Sequence, residues 1–367
     1  MRVGIPREIK NHEYRVGLAP AGVHELVAHG HEVIVEAGAG LGIGADDDAY
    51  VAAGATIADT AQEVFERAEL IVKVKEPQAQ ERAWLRAGQL LFTYLHLAPD
   101  PAQTRDLLAR RVTALAYETV TGPGGTLPLL APMSEIAGRM SIQAGAHCLE
   151  KAAGGRGVLL GGAAGVEPGH VVVLGAGMVG LNATDVALGM GARVTVIDRS
   201  MDALRRIAER FDHRAATLHS SREAIARALV RADLVIGGVL VPGGSAPKLV
   251  TREMIAGMAP GSVIVDVAID QGGCCETSRA TTHDDPTYVE HGIIHYCVAN
   301  MPGAVARTAT QALNAATLPH IVALANKGWR RACAEDRHLA AGLNVHDGHV
   351  THTEVAHALG LPARAPG

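Results

Sequence analysis

Short apolar runs alternate with amphipathic stretches along most of the chain, which predicts an α/β fold with parallel sheet. An apolar run bounded by Gly, Pro or polar residues predicts a buried strand, and apolar positions three or four residues apart predict a helix. The strands predicted in the first half are Arg2–Ile5, Glu32–Glu36, Leu70–Val74, Leu90–Leu95 and Thr113–Tyr117. The helices predicted there are Pro20–His29, Ala61–Arg67 and Pro101–Arg111.

The same alternation resumes after a break at residues 121–132, where Gly and Pro are frequent, as they are in linkers and hinges. A long helix is predicted at Met133–Ala153, and the glycine-rich stretch 154–165 is predicted to be a flexible connector. The later predicted strands are His170–Leu174, Arg193–Ile197, Leu234–Val239, Ser262–Val267 and Ile293–Val298. The later predicted helices are Met178–Met190, Met201–Phe211 and Ala304–Lys327, with a short element and one more helix within Val345–Leu361.

Composition narrows the class of protein. The chain has 367 residues, of which 48% are hydrophobic and 19% charged, as in a globular protein of two to three domains. A net charge of −5 and an aromatic content of 3% argue against nucleic-acid binding. The apolar runs are too short for a membrane helix, and the N-terminus lacks a signal peptide, so we expect a cytoplasmic protein. The irregular spacing of the five cysteines favours reduced thiols over disulfides or a zinc site.

A dinucleotide-binding motif follows one buried strand. The strand Val171–Leu174 leads directly into Gly175, Gly177 and Gly180, which have G-x-G-x-x-G spacing and open a predicted helix. In such a motif the first glycine permits the tight turn, the second lets the backbone approach a pyrophosphate, and the third permits close helix–strand packing. The alternative is a glycine turn in an ordinary βαβ unit without a ligand.

Asp198 indicates which dinucleotide the motif binds. It ends the strand after the motif, where a carboxylate would accept hydrogen bonds from the adenosine ribose and repel a 2′-phosphate. NAD is therefore favoured over NADP. Arg199 and Arg205 lie close by and keep NADP as the alternative.

Two basic residues are candidates for holding a 2-oxo or 2-amino acid. Arg15 lies in the loop after the first strand, and its planar guanidinium suits a carboxylate, although position alone favours a solvated loop arginine. Lys73 and Lys75 lie near the end of one apolar run, where strand alternation would place both on one face. Lys75 either contacts a ligand or is solvated at the edge of the sheet, paired with Glu76.

Two further residues are candidates for proton transfer. His96 closes an apolar run, where it is either an acid/base near neutral pH or a satisfied, partly buried histidine. Asp270 lies just past a buried strand, where a nicotinamide is expected. Asp266, inside that strand, is expected to make structural hydrogen bonds instead. Four histidines of the C-terminal tail are expected to be solvated, namely His346, His349, His352 and His357.

The chain resembles the alanine dehydrogenase family from end to end. The order and spacing of several separated segments carry the resemblance. These are MRVGIPREIKNHEYRVGLAP, VKVKEP, FTYLHLAPD, APMSEIAGRMS, VVVLGAGMVG, VIVDVAIDQGG and VANMPGAVARTAT.

The resemblance implies roles for the candidate residues. It implies that Arg15 binds the substrate carboxylate, that Lys75 contacts the carbonyl or amino group, and that His96 and Asp270 are the catalytic pair. The NAD contacts that it implies, together with the motif glycines Gly175, Gly177 and Gly180, are Ser134, Met178, Val179, Asp198, Ser220, Val239, Leu240, Val267, Ala268, Ile269, Asp270, Val298, Ala299, Asn300 and Met301.

The resemblance also implies a domain plan. A discontinuous α/β substrate domain with parallel sheet would comprise residues 1–128 and 306–367, around a central Rossmann-type NAD-binding domain of residues 129–305. The family is hexameric, which implies a homo-oligomer here. The chain departs from some members at two positions. Ala203 replaces a basic residue near the ribose aspartate. Lys327 replaces a histidine that binds metal together with a residue matching Glu118, so we predict no metal site.

The predicted activity is the reversible, NAD-dependent oxidative deamination of L-alanine to pyruvate and ammonia. The alternatives are the nucleotide-binding part of a proton-translocating transhydrogenase, a saccharopine-type dehydrogenase for a larger substrate, and an NAD-sensing module without turnover. Bulky walls would favour a substrate as small as alanine, and the candidates for such walls are Tyr94, Leu130 and Met133.

Overall fold

The computed structural model describes residues 1–239 and 246–365. The strands in these residues are β1 (Arg2–Ile5), β2 (Glu32–Glu36), β3 (Thr56–Ala58), β4 (Leu70–Val72), β5 (Leu90–Thr93), β6 (Thr113–Ala116), β7 (His170–Leu174), β8 (Arg193–Asp198), β9 (Ala216–His219), β10 (Leu234–Gly237), β11 (Val263–Asp266), β12 (Thr287–Glu290), β13 (Ile293–Tyr296), β14 (Leu343–His346) and β15 (His349–Val350).

The α-helices in the same residues begin with α1 (Pro20–Ala28), α2 (Asp47–Ala52), α3 (Ala61–Arg67), α4 (Ala79–Trp84), α5 (Pro101–Ala109), α6 (Ala131–Cys148) and α7 (Met178–Gly189). They continue with α8 (Met201–Arg210), α9 (Arg222–Leu229), α10 (Arg252–Ala256), α11 (Ala306–Glu335), α12 (Arg337–Ala340) and α13 (Thr353–Leu359). Among the described residues, no helix is both long enough and apolar enough to cross a membrane.

The chain divides into two compact units. The first unit comprises residues 1–133 and the described residues from 303 onward, and the second comprises the described part of 134–302. Each unit has its own sheet, in which most neighbouring strands are parallel. The predicted α/β class with two domains and parallel sheet is therefore confirmed.

The sheet of the first unit has the strand order β15-β14-β6-β5-β4-β1-β2-β3. Strands β1 to β6 are parallel to one another, whereas β14 runs antiparallel to β6 and to β15. An apolar cluster that includes Ile34, Phe65 and Leu91 packs against this sheet. Because β5, β4 and β1 are adjacent and parallel, the loops that follow them leave from one edge of the sheet.

The sheet of the second unit has the order β12-β13-β11-β10-β7-β8-β9, and only β12 is antiparallel to its neighbour. The chain passes from β7 to β8 and β9 on one side, then returns to β10 on the other side of β7. Such a reversal of strand order leaves a crevice outside the carboxyl ends of the strands, where open α/β sheets bind their ligands. The crevice is therefore expected between β7 and β10.

Several predicted strands were too long at their carboxyl ends. Strand β4 ends at Val72 although the apolar run continues to Val74, and β13 ends at Tyr296 although it continues to Val298. Val74 and Val298 are buried outside the sheet, so an apolar residue there marks a packed loop, not a longer strand. The same error affects the predicted strand ends at Leu95, Tyr117, Val239 and Val267.

The long predicted helices differ at their ends. Helix α6 ends at Cys148, and a separate 3-10 helix covers Lys151–Ala153. Helix α11 continues to Glu335 with a kink at Gly328, whose φ is +71°. The elements that the pattern did not reveal are short or lie at sheet edges, where partial exposure weakens the apolar signal. They are β3, β9, β12, β14, α2, α4, α9, α10 and α12.

Candidate active site

Three of the predicted substrate-binding and catalytic residues follow three neighbouring strands of the first unit. Arg15 lies in the loop after β1, Lys75 after β4 and His96 after β5. Hydrogen bonds join these loops. Thr93 Oγ1 donates to the Lys75 carbonyl over 3.0 Å, and the Lys10 ammonium forms an ion pair with Glu76. The sheet topology thus brings the three loops to the same edge.

Arg15 is buried, so the expectation of a solvated loop arginine is wrong. The residue is only 2% exposed, and its Nε donates to Glu13 Oε1 over 2.6 Å while Nη2 donates to Glu13 Oε2. Nη1 lies 2.9 Å from the sulfur of Met133. Burial acts to lower the pKa of Arg15, but the Glu13 carboxylate outweighs it and raises that pKa. Glu13 therefore holds a permanent cation in a fixed orientation.

Tyr94 packs beside this cation. It is buried, and its hydroxyl donates to the carbonyl of Leu129. Burial raises its pKa, so the phenol stays neutral. Of the three predicted walls, Tyr94 and Met133 are buried in the first unit, and Leu130 is partly exposed.

His96 lies three residues beyond the end of β5 and so does not close that strand. Its backbone is left-handed, with a φ of 48°, and its imidazole is 45% exposed. The Glu118 carboxylate accepts hydrogen bonds from the backbone N–H groups of Leu95 (3.2 Å) and His96 (2.6 Å). The imidazole stacks on Tyr94 at 5.8 Å between ring centroids. An unusual backbone conformation held in this way is typical of functional positions.

The two residues of the metal site found in some family members have other partners here. Glu118 accepts from the His96 loop, and Lys327 Nζ lies 2.6 Å from Glu335 Oε2. A lysine ammonium does not ligate a cation. The absence of this metal site stays a prediction.

The expected arrangement of Lys73 and Lys75 on one strand face is wrong, because β4 ends at Val72 before either residue. Lys73 is completely buried and pairs with Glu8 and Glu81, whereas Lys75 is half-buried. The two lysines therefore differ in environment, and Lys75 is the one with access to solvent.

In the second unit, the glycine motif has the geometry that dinucleotide binding needs. Gly175 has a φ of +102°, and a Cβ there would lie 2.7 Å from the carbonyl oxygen of Gly238. A Cβ at Gly180 would collide with the carbonyl of Gly175. At Gly177 a Cβ would meet no heavy atom of the described residues within 4 Å, so space for a ligand remains beside the backbone. Helix α7 then begins at Met178.

Asp198 lies beside this turn, at the end of β8. Its carboxylate accepts hydrogen bonds from the backbone N–H groups of Ala176 and Ser200, both over 2.7 Å. Ser220, after β9, donates its backbone N–H to the carbonyl of Asp198 over 2.9 Å. Asp198, predicted to bind the ribose, is thus hydrogen-bonded to the glycine turn that is predicted to bind the pyrophosphate.

The other predicted cofactor residues that the structure describes also occupy the carboxyl edge of the second sheet or the starts of nearby helices. Val239 follows β10, and Leu240 lies outside the described residues. Ser134 lies in the first turns of α6, and Met178 and Val179 open α7. The residues that follow β11 and β13 are Val267, Ala268, Ile269, Asp270, Val298, Ala299, Asn300 and Met301.

The expected structural role of Asp266 is confirmed, and that of Asp270 stays a prediction. Asp266 is buried and accepts hydrogen bonds from backbone N–H groups of Ala268, Cys274 and Cys275, so its role is structural. Asp270 is exposed, within the 3-10 helix Val267–Gln271. It is therefore the carboxylate that a ligand could reach.

The acidic residues that bind the basic ones were not predicted from the sequence. Glu13 binds Arg15, Glu118 binds the backbone at His96, and Glu8 and Glu81 bind Lys73. The available signal was the spacing of acidic residues around each basic candidate, as in REIKNHEYR and KVKEPQAQE.

Of the tail histidines expected to be solvated, His346 is only partly exposed. It packs on Trp329 with 4.5 Å between ring centroids.

Comparison with known proteins identifies the family of the chain. Residues 4–137 match the family model "Alanine dehydrogenase/PNT, N-terminal domain", and residues 141–353 match the C-terminal domain of that family. An alanine dehydrogenase of Halomonas elongata is 59% identical over 361 residues, which cover 98% of this chain and 97% of that protein.

Two solved structures are similar along nearly the whole chain. An L-alanine dehydrogenase superposes with a TM-score of 0.95 at 50% identity, covering 98% of this chain and 99% of that one. A transhydrogenase from Sinorhizobium meliloti superposes with a TM-score of 0.84 at 28% identity, covering 95% and 100%. On the match of both family models and of relatives this similar, the chain belongs to the alanine dehydrogenase/PNT family.

Proposed function

We propose that this chain catalyses the reversible oxidative deamination of L-alanine to pyruvate and ammonium with NAD. The observation that carries the proposal is the placement of Arg15, Lys75 and His96 after three adjacent parallel strands. A 2-oxo acid needs a cation for its carboxylate, a donor for its carbonyl and an acid/base, and these three side chains are of those types. The identity of 59% with an alanine dehydrogenase supports the choice of substrate.

The family and the glycine motif imply a nicotinamide cofactor. Bound NAD supplies the hydride acceptor. The predicted substrate domain, residues 1–128 and 306–367, contains Arg15, Lys75 and His96. The predicted NAD-binding domain, residues 129–305, contains the glycine motif and Asp198. A hexamer and a cytoplasmic location remain part of the proposal.

Each polar side chain has a separate task in this reaction. Arg15, oriented by Glu13, binds the substrate carboxylate through its guanidinium. Lys75 donates to the carbonyl or contacts the amino group. His96 removes a proton from the water that adds to the imine and returns it when ammonia leaves. Asp270 stabilises the positive charge of the imine.

The transhydrogenase alternative is less well supported, because that reaction needs no clamp for a carboxylate. The alternative of a larger amino-acid substrate is disfavoured by the buried walls Tyr94 and Met133.

Addition of pyruvate and ammonium to the purified chain with NADH tests the proposed activity and its alternatives. We expect NADH oxidation, measured at 340 nm, that depends on both additions, and a panel of larger 2-oxo acids should react more slowly. If neither pyruvate nor any larger 2-oxo acid of the panel supports NADH oxidation, the proposed function is wrong.

Asp198→Asn tests the choice of NAD over NADP. The Asn side chain keeps one acceptor oxygen for the N–H of Ala176 or Ser200 but removes the charge that would repel a 2′-phosphate. We expect the ratio of kcat/KM for NADH to that for NADPH to fall about tenfold, which corresponds to ~1.4 kcal/mol. Steady-state kinetics with each cofactor measure this ratio. The same ratio in both proteins would show that Asp198 does not select the cofactor.

A further inference from the structure

A buried ion cluster lies directly beside the segment that carries Lys75. Lys73 Nζ donates to Glu81 Oε1 over 2.8 Å and to Glu8 Oε2 over 3.1 Å. At most 1% of any of the three side chains is exposed. Removing three charges from water costs several kcal/mol per ion, and apolar residues of similar volume often pack as well. Stability alone therefore does not explain a lysine at this position, between the buried Val72 and Val74.

The two carboxylates also bind the backbone on both sides of Lys75. Glu8 Oε1 accepts a hydrogen bond from the N–H of Val74 over 2.6 Å, just before Lys75. Glu81 Oε2 accepts one from the N–H of Gln78 over 2.7 Å, at the start of α4. Each carboxylate thus has one oxygen on the Lys73 ammonium and the other on the main chain. Both ends of the segment 74–78 are therefore held by carboxylates that bind the same Lys73 ammonium.

We propose that Glu8, Lys73 and Glu81 form a positioning network that sets the place of Lys75 toward the substrate. The proposal rests on the proposed function of Lys75 as a substrate-binding residue. None of the three members needs to touch the substrate, because they act through the backbone that carries Lys75. Burial raises the pKa of Glu8 to about 7, although the nearby Lys73 ammonium lowers it. Removal of that ammonium would therefore favour a protonated Glu8. A protonated Glu8 would bind the N–H of Val74 more weakly.

Lys73→Met tests the network at its centre. A displacement of about 1 Å in a substrate-positioning group costs about 10²-fold in catalysis. We therefore expect the KM for pyruvate to rise at least tenfold, while the affinity for NADH, measured by fluorescence titration, stays the same. Lys73→Arg keeps a cation that can bridge both carboxylates, and it should recover most of the change. A purely structural role would instead lower the active fraction, hence the apparent kcat, and leave the KM for pyruvate unchanged.

Two further variants make the result decisive. Glu36→Gln is the matched control, because Glu36 is a buried carboxylate of the same sheet that senses the charges of Lys73 and Glu81 but hydrogen-bonds the N–H of Arg7, over 2.7 Å, instead of the backbone beside Lys75. It should leave the KM for pyruvate unchanged. If Lys73→Met does not fold, Glu8→Gln decides, since it preserves shape and one acceptor but weakens the bond to Lys73 or Val74.

Lys75→Ala separates failure of this inference from failure of the proposed function. If Lys75→Ala raises the KM for pyruvate but Lys73→Met, or Glu8→Gln in its place, leaves it unchanged, the positioning network is refuted and the proposed function stands. If Lys75→Ala itself has no effect on that KM, the substrate role of Lys75 is refuted. The proposal that the network positions Lys75 toward the substrate is then refuted as well. An equal rise of KM in Glu36→Gln and Lys73→Met would also refute the network.

Discussion

His96→Ala is expected to lower kcat for pyruvate amination by about 10²-fold to 10⁴-fold, the range that general acid–base catalysis contributes. The reason is that the imidazole is 45% exposed at the edge of the first sheet and is the side chain proposed to transfer the proton. Pre-steady-state and steady-state NADH oxidation would measure the loss. The affinity for NADH should stay the same, because the residues proposed to bind NADH belong to the second unit.

The left-handed backbone at His96 calls for two companion variants. His96→Asn removes the acid/base function but keeps a residue type that tolerates positive φ, so it should be as inactive as His96→Ala. His291→Ala is the matched control, because His291 is exposed and also left-handed, with a φ of 53°. It should retain full activity. Full activity in His96→Asn would mean that His96 does not transfer the proton.

Arg15→Met is expected to lower kcat/KM for pyruvate by about 10²-fold or more, because loss of a charged partner to a buried carboxylate costs 2–5 kcal/mol. It should also lower the free energy of unfolding by about 3–5 kcal/mol, because Glu13 would remain buried without its cation. Urea unfolding measures the second quantity, and steady-state kinetics measure the first.

The double variant Glu13→Gln/Arg15→Met separates these two effects. It replaces a buried ion pair with neutral residues of similar size, which is often neutral for stability or stabilising. We therefore expect the free energy of unfolding to recover while kcat/KM for pyruvate stays low. Recovery of activity together with stability would show that Arg15 supports the fold and does not bind the substrate.

The buried centre of each sheet was predictable from the sequence. Strands Arg2–Ile5, Glu32–Glu36 and His170–Leu174 have the bounds that the apolar pattern predicts. These strands are covered on both faces, and such coverage gives an uninterrupted apolar signal. The edge strands, such as Ala216–His219, are partly exposed and gave no such signal. Strand ends were less predictable because buried loop residues such as Val74 extend the apolar run beyond the sheet.

The candidate site was predictable only in part. The family resemblance supplied the roles of Arg15, Lys75 and His96, and the strand pattern placed each of them after a strand. Strand adjacency was not readable from the sequence, because residues 15, 75 and 96 follow strands whose order in the sheet depends on the tertiary fold. The buried partners, such as Glu13, were also missed, since a local pattern does not show which carboxylate a buried cation will find.

A crystal structure of the chain with pyruvate bound would show which residues hold the substrate. We expect the pyruvate carboxylate to bind the Arg15 guanidinium and the carbonyl oxygen to lie within hydrogen-bond distance of Lys75 Nζ, with the His96 imidazole beside it. Pyruvate bound elsewhere in the protein, without contact to Arg15, would contradict this proposal.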